Sequence, residues 1–232
     1  MIYLYALNIG KISGYKEIAD LEDIVSEGRK KRIERYRFEK DKIRCLVAEL
    51  LVRYALFRQY DLYGSDIVFG CGDSGKPFLT GSEIRFNISH SGEWVVCAVG
   101  DSDMGIDVEE IKAIDFRSVY QRFSEREVQF LDSIEDKALP FYRIWTLKES
   151  YVKYNGFGLR CPFESFAVII DENEKTTLVK EGRCDNTIRF VSSKLDDTHW
   201  QAVCMETSEK ISEIMIITVP DLEYALFGQN GI

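Results

Sequence analysis

Residues 84–109 read IRFNISHSGEWVVCAVGDSDMGIDVE. Two apolar runs, Ile84–Ser89 and Trp94–Val99, are separated only by His90-Ser91-Gly92-Glu93, so they read as two strands joined by a tight turn. Gly100-Asp101-Ser102-Asp103 follows, the most loop-like stretch near mid-chain, and a third strand, Met104–Glu109, opens beyond it. The boundary between halves is therefore expected there, with residues 1–102 as an N-terminal half and 103–232 as a C-terminal half.

Upstream of this stretch, Met1–Ile9 reads as an opening strand. Ile43, Leu46, Val47, Leu50, Leu51 and Tyr54 recur at spacings of three and four, the mark of a long helix with one buried face. Ile67–Phe69 is a short strand candidate before the turn-rich Gly70–Gly75. Downstream, Ser124 and Glu127 spell a capping box for a short helix ending near Leu131. A longer helix, Pro140–Tyr154, carries Phe141, Ile144, Trp145 and Val152 toward a core and stops at Asn155-Gly156. Four strand candidates close the chain: Ser165–Ile170, Thr187–Lys194, His199–Met205 and Glu213–Val219. The expected class is α+β, mostly antiparallel, in two halves of similar size.

With 232 residues, 45% of them hydrophobic, the chain can bury a substantial core. It has no uninterrupted apolar run of the roughly 20 residues a membrane span needs. Met1–Ala6 lacks the basic start and cleavage site of a secretory signal. The six cysteines are scattered and form no Cys-x-x-Cys pair, as expected of reduced thiols in a cytoplasmic protein. A net charge of −9 disfavours wholesale binding of nucleic acid. Yet residues 29–44 hold nine bases against three acids, a net +6 that leaves −15 on the remainder. Such a run is either a solvated face or a local anion site.

Three groups of side chains could carry chemistry. Strand alternation puts Asp107 and Glu109 on one face and Ile106 and Val108 on the other. The pair is either the wet face of a strand or a seat for a hard divalent cation, and magnesium needs only one or two protein carboxylates plus substrate phosphates. Glu149 and Lys153 are helical neighbours four residues apart, either an exposed salt bridge or an acid and a base facing a cleft. Trp145, one turn earlier, sets their stripe beside the buried side. His90, between Ser89 and Ser91-Gly92, either bonds locally at its turn or joins Ser89 and main-chain N–H groups as donors to an anion. Gly70–Lys76 nearly spells a nucleotide-binding P-loop, but Pro77 stands where Ser or Thr must bind magnesium, and no helix follows.

Phe86–Ser91, Gly105–Glu109 and Trp145–Lys153, with Gly75-Lys76-Pro77 upstream and Gly156–Leu159 downstream, stand together in order and spacing. In that register the chain resembles the phosphopantetheinyl transferases of the surfactin-synthetase-activating (Sfp-like) type. The resemblance implies two pseudo-symmetric α+β halves with a coenzyme A cleft between them. It implies a magnesium site of Asp107, Glu109 and Glu149, and phosphate contacts from Lys76, Ser89, His90 and Lys153. Arg29, Arg32 and Arg44 would hold the 3′-phosphate or adenine end, while Cys45 stands where relatives often place a hydroxyl. Catalysis would fall to Glu149, Lys153 and His90. The implied reaction moves 4′-phosphopantetheine from coenzyme A to a serine of an apo acyl-, peptidyl- or aryl-carrier protein of nonribosomal peptide or polyketide biosynthesis. The length suits a monomer, with neither nucleic acid nor membrane as partner. Two rivals use the same residues. One is a metal-dependent phosphodiesterase or pyrophosphatase attacking a nucleotide with water. The other is a non-catalytic carrier-binding module, against which the intact Asp107, Glu109, Glu149 and Lys153 argue.

Overall fold

The computed structural model describes residues 1–72 and 75–227, with Leu159 by its main chain alone. In chain order the elements are β1 (Ile2–Asn8), α1 (Glu27–Glu34), α2 (Glu39–Tyr60), β2 (Phe69–Cys71), β3 (Pro77–Leu79), β4 (Arg85–Ser91), β5 (Trp94–Gly100), β6 (Met104–Glu110), α3 (Arg117–Tyr120), α4 (Glu125–Ser133), α5 (Ala138–Asn155), β7 (Phe166–Ile170), β8 (Thr176–Lys180), β9 (Arg183–Asp185), β10 (Ile188–Lys194), β11 (His199–Glu206), β12 (Ile211–Ile217) and α6 (Val219–Phe227). The fold is α+β. It divides into two compact units, one of Met1–Gly72, Pro77–Ser102 and the chain from Lys210 onward, the other of Lys76 and Asp103–Glu209. No helix among the described residues is long and apolar enough to cross a membrane.

The first unit is built on a sheet of order β12-β1-β5-β4. All of β5 is buried, which is why its sequence is a continuous apolar run rather than an alternating one. Helix α2 lies on this sheet, and α1 and α6 pack against it in turn. Burial on several sides explains why thirteen of its residues are inaccessible, far more than one stripe would supply. Ser26 caps α1, its hydroxyl accepting the Arg29 N–H at 3.3 Å. The basic run is thus split between α1 and the first turns of α2, and α1 was not foreseen.

Two expectations are corrected here. Residues 210–227 do not belong with the second half. β12 pairs in parallel with β1, the Ile2 N–H donates to the Lys210 carbonyl at 2.7 Å, and Leu222 and Ala225 of α6 enter the first unit's core. Ser89 does not end its strand and His90 does not sit in a turn. They are paired with Val96 and Val95 inside the β4–β5 ladder, and only Gly92 and Glu93 form the loop. Gly92 takes φ +54° there, a conformation that costs glycine nothing.

The second unit holds a sheet of order β10-β11-β6 and a smaller one of order β7-β8-β9, with α5 packed on β6 and β11. The capping box at Ser124 and Glu127 is complete in both directions. Helix α5 ends on Gly156 at φ +69°, whose N–H donates to Val152 at 3.0 Å. The near-P-loop leads into strand β3 rather than a helix; Asp73 and Ser74 within it lie outside the described residues.

Candidate active site

The site in the second unit begins with a close approach. A Cβ on Gly105 would stand 2.0 Å from the Ser150 carbonyl oxygen and 2.4 Å from the Tyr154 nitrogen, so only glycine lets the α5 backbone rest on β6. Asp107 and Glu109 follow on the same pleat face. Four strand residues advance about 13 Å and eight helical residues about 12 Å, so the stripe Trp145–Glu149–Lys153 keeps step with the row Glu109–Asp107–Gly105. Contacts at both ends fix the alignment. Trp145 Nε1 donates to Glu109 Oε1 at 3.1 Å, and Lys153 Nζ to Asp107 Oδ1 at 2.6 Å. Lys153 therefore bridges helix to strand, and the picture of an isolated surface pair with Glu149 falls away.

Asp107 is 3% exposed, a depth at which a carboxylate needs positive charge nearby. Glu149 is pushed up to about 7, first by burial and then by the charges of Asp107 and Glu109, with Lys153 opposing. Three carboxylates are thus coupled, and Lys153 brings a cation among them. Among the described residues, no three His, Cys, Asp or Glu side chains stand ready-made around an ion. The donor set nevertheless suits magnesium: it is all oxygen and borne by facing elements.

In the first unit, Arg29, Arg32 and Arg44 line a cavity of about 170 Å³ together with Tyr36, Cys45 and His90. Arg44 is anchored by donating Nε to the Gly92 carbonyl at 3.1 Å and Nη1 to Asp41 at 3.0 Å. Cys45 is buried, its sulfur 3.6 Å from Arg29 Nη1, so it borders the cavity without a hydroxyl's hydrogen bonding. His90 shares a face of β4 with Ile88, which also lines the cavity, whereas Ser89 points to the opposite face. The two cannot act as a joint donor pair. Lys76 belongs to the second unit, where its ammonium donates to the carbonyls of Lys153 at 2.6 Å and Met104 at 3.4 Å. It caps the negative end of α5.

Residues 14–102 match the family model described as 4′-phosphopantetheinyl transferase, N-terminal, and residues 103–204 that of the 4′-phosphopantetheinyl transferase superfamily. The 4′-phosphopantetheinyl transferase psf-1 of Bacillus pumilus is 33% identical over 89% of this chain and 90% of its own length. The chain belongs to the 4′-phosphopantetheinyl transferase family. Others of that name are similar as well. The transferase gsp of Aneurinibacillus migulanus is 39% identical over 68% of this chain and 67% of its own, and Sfp of Bacillus subtilis is 28% identical over 94% and 99%.

This phosphopantetheinyl transferase holds its α5 in place with residues that the sequence did not mark as important. Lys148, beside Glu149, has no exposed surface and donates to Glu127 Oε1 at 3.0 Å, to Glu127 Oε2 at 2.7 Å and to the Phe166 carbonyl at 2.7 Å. Its ammonium lies 4.1 Å from the centre of the Phe166 ring. Burial pulls its pKa down, and Glu127 pulls it back up. Glu127 also accepts the Val168 N–H at 2.8 Å, so the capping-box acid of α4 ties α4, α5 and β7 together. The Ser-x-x-Glu pattern signalled the cap; nothing in it signalled the second partner. Trp145 likewise reads as core, and only the fold shows its indole N–H on Glu109.

Proposed function

We propose that this transferase moves the 4′-phosphopantetheine arm of coenzyme A onto a serine hydroxyl of an apo carrier protein and releases 3′,5′-ADP. The alignment of Glu149 and Lys153 on α5 with Asp107 and Glu109 on β6 carries this reading, since it gathers a proton acceptor, a cation and two further carboxylates at one place. The serine oxygen bonds to the β-phosphorus as the bond from that phosphorus to the 3′,5′-ADP oxygen breaks. Glu149, directly or through a water, accepts the serine proton. Lys153 offsets the charge that grows on the departing phosphate. Asp107, Glu109 and Glu149 would hold magnesium, which when bound neutralises pyrophosphate charge.

Coenzyme A has a second anion, its 3′-phosphate, remote from the reacting phosphorus. Arg29, Arg32 and Arg44 around the first unit's cavity supply the cations for it, and His90 on the same wall a ring N–H donor. Ser89, Lys76 and Lys153 are proposed as contacts to the phosphates of the same coenzyme A. The carriers proposed are acyl-, peptidyl- or aryl-carrier domains of peptide or polyketide assembly. A hydrolase would direct water at the same phosphorus, and no observation favours it. The test is transfer to an apo carrier with and without EDTA. EDTA abolishes transfer, added magnesium restores it, and Asp107→Ala is inactive with an unchanged circular dichroism spectrum. Full activity in EDTA contradicts the magnesium assignment.

A further inference from the structure

Glu49 lies in the middle of α2, 2% exposed, and both its oxygens are filled. Oε1 accepts the Ser26 N–H at 2.6 Å, Arg53 Nε at 3.0 Å and Arg53 Nη2 at 2.9 Å. Oε2 accepts the Ser26 hydroxyl at 2.9 Å and Arg29 Nε at 3.1 Å. One buried carboxylate thus takes two guanidinium groups and the capping residue of α1. A pair of one acid and one base would be neutral; this cluster retains one positive charge. Arg53 is 5% exposed and lies over the Phe69 ring at 5.2 Å, so the surplus cannot be presented to solvent from its end. Arg29 is the outlet. It lines the 170 Å³ cavity and a neighbouring one of about 250 Å³, on which Glu49 itself borders.

The manner of attachment matters. Glu49 takes Nε of Arg29 and Cys45 lies at Nη1, so the guanidinium is held at two points and its plane is fixed. A long arginine otherwise loses much side-chain freedom when it meets an anion, and a grip made beforehand removes that cost from the binding step. Because Ser26 both donates to Glu49 and receives the Arg29 N–H, the same carboxylate fixes the start of α1, where Arg32 also resides.

We propose that Glu49 is a positioning residue that sets the preference of this enzyme for a substrate bearing the 3′-phosphate, by holding Arg29 at the cavity wall. The proposal rests on the reading of that cavity as the 3′-phosphate site. Glu49 itself touches no substrate; it acts through Arg29.

The experiment is a double-mutant cycle of Arg29→Ala, Glu49→Gln and the double variant. Each is assayed for kcat/KM with coenzyme A and with 3′-dephospho-coenzyme A, the readout being the ratio of the two. Arg29→Ala lowers the ratio roughly 10- to 100-fold, the worth of one charge-assisted hydrogen bond. Glu49→Gln lowers it at least about 3-fold through KM for coenzyme A, and lowers it no further in the Arg29→Ala background. If Glu49→Gln fails to fold, Glu49→Asp replaces it, and calorimetric binding of 3′,5′-ADP against 5′-AMP gives the same ratio without turnover. If Arg29→Ala leaves the ratio unchanged, the 3′-phosphate reading of the cavity is wrong. If Arg29→Ala lowers it while Glu49→Gln weakens both substrates equally, or adds fully to Arg29→Ala, the cavity reading stands and the positioning role of Glu49 is overturned.

Discussion

Lys153 shows how far a single residue could be read in advance. Its i, i+4 spacing from Glu149 is a matter of counting, and so is the shared face of Asp107 and Glu109. That Lys153 crosses to Asp107 at 2.6 Å is not, because the partner lies 46 positions away and is chosen by how α5 rests on β6. Gly105 permits that approach, and a glycine in a strand carries no sign of what will lie on it. The placement predicts the effect of substitution. A cation facing the departing phosphate matters more in the transition state than in the ground state, so Lys153→Ala lowers kcat by on the order of 10²–10³ with a smaller change in KM. Lys153→Arg, which keeps charge but alters reach, restores part of it if charge stabilisation is the role. Steady-state transfer to one carrier by the three proteins checks this, and an alanine variant with unchanged kcat would remove Lys153 from the site.

At the scale of elements, α5 was legible as an amphipathic helix with a glycine stop, and α4 as a capped one. Their junction was not, because a buried lysine contradicts the ordinary expectation that lysine is exposed. Lys148 is tolerated only because Glu127 and the Phe166 carbonyl meet all of its charge within 3.0 Å. Removing one partner leaves the other buried and uncompensated. Lys148→Met is accordingly expected to cost about 3–5 kcal/mol of unfolding free energy. The double variant with Glu127→Gln recovers part of that, since Gln removes the orphaned charge yet can still accept the Val168 N–H. Urea denaturation of both variants measures the difference. A single variant costing less than about 1 kcal/mol would show that the pair does not anchor the helix. Helix α1 was missed for another reason: its four bases outweigh its single apolar side chain, the buried Ile33.

For the whole molecule, local pattern found the longer strands but missed β3, β8 and β9, and could not say which sheet the last one joins. β12 and α6 return to the first unit, and no local feature of residues 210–227 encodes that return. Leu222 of α6 is fully buried in that unit's core, so Leu222→Ala is expected to cost about 2–5 kcal/mol. Hydrogen exchange then accelerates in α2, against which α6 packs. Faster exchange in β10 and β11 with α2 untouched would contradict the assignment. The claim on which everything else depends is chemical: the two family models match a transferase that modifies carrier proteins. Its most direct test is intact-protein mass spectrometry of an apo carrier domain incubated with this protein, coenzyme A and magnesium. The account predicts that the carrier gains one phosphopantetheine mass on its serine, with an equal amount of 3′,5′-ADP released. Cleavage of coenzyme A with no mass gained by any acyl-, peptidyl- or aryl-carrier domain would contradict it.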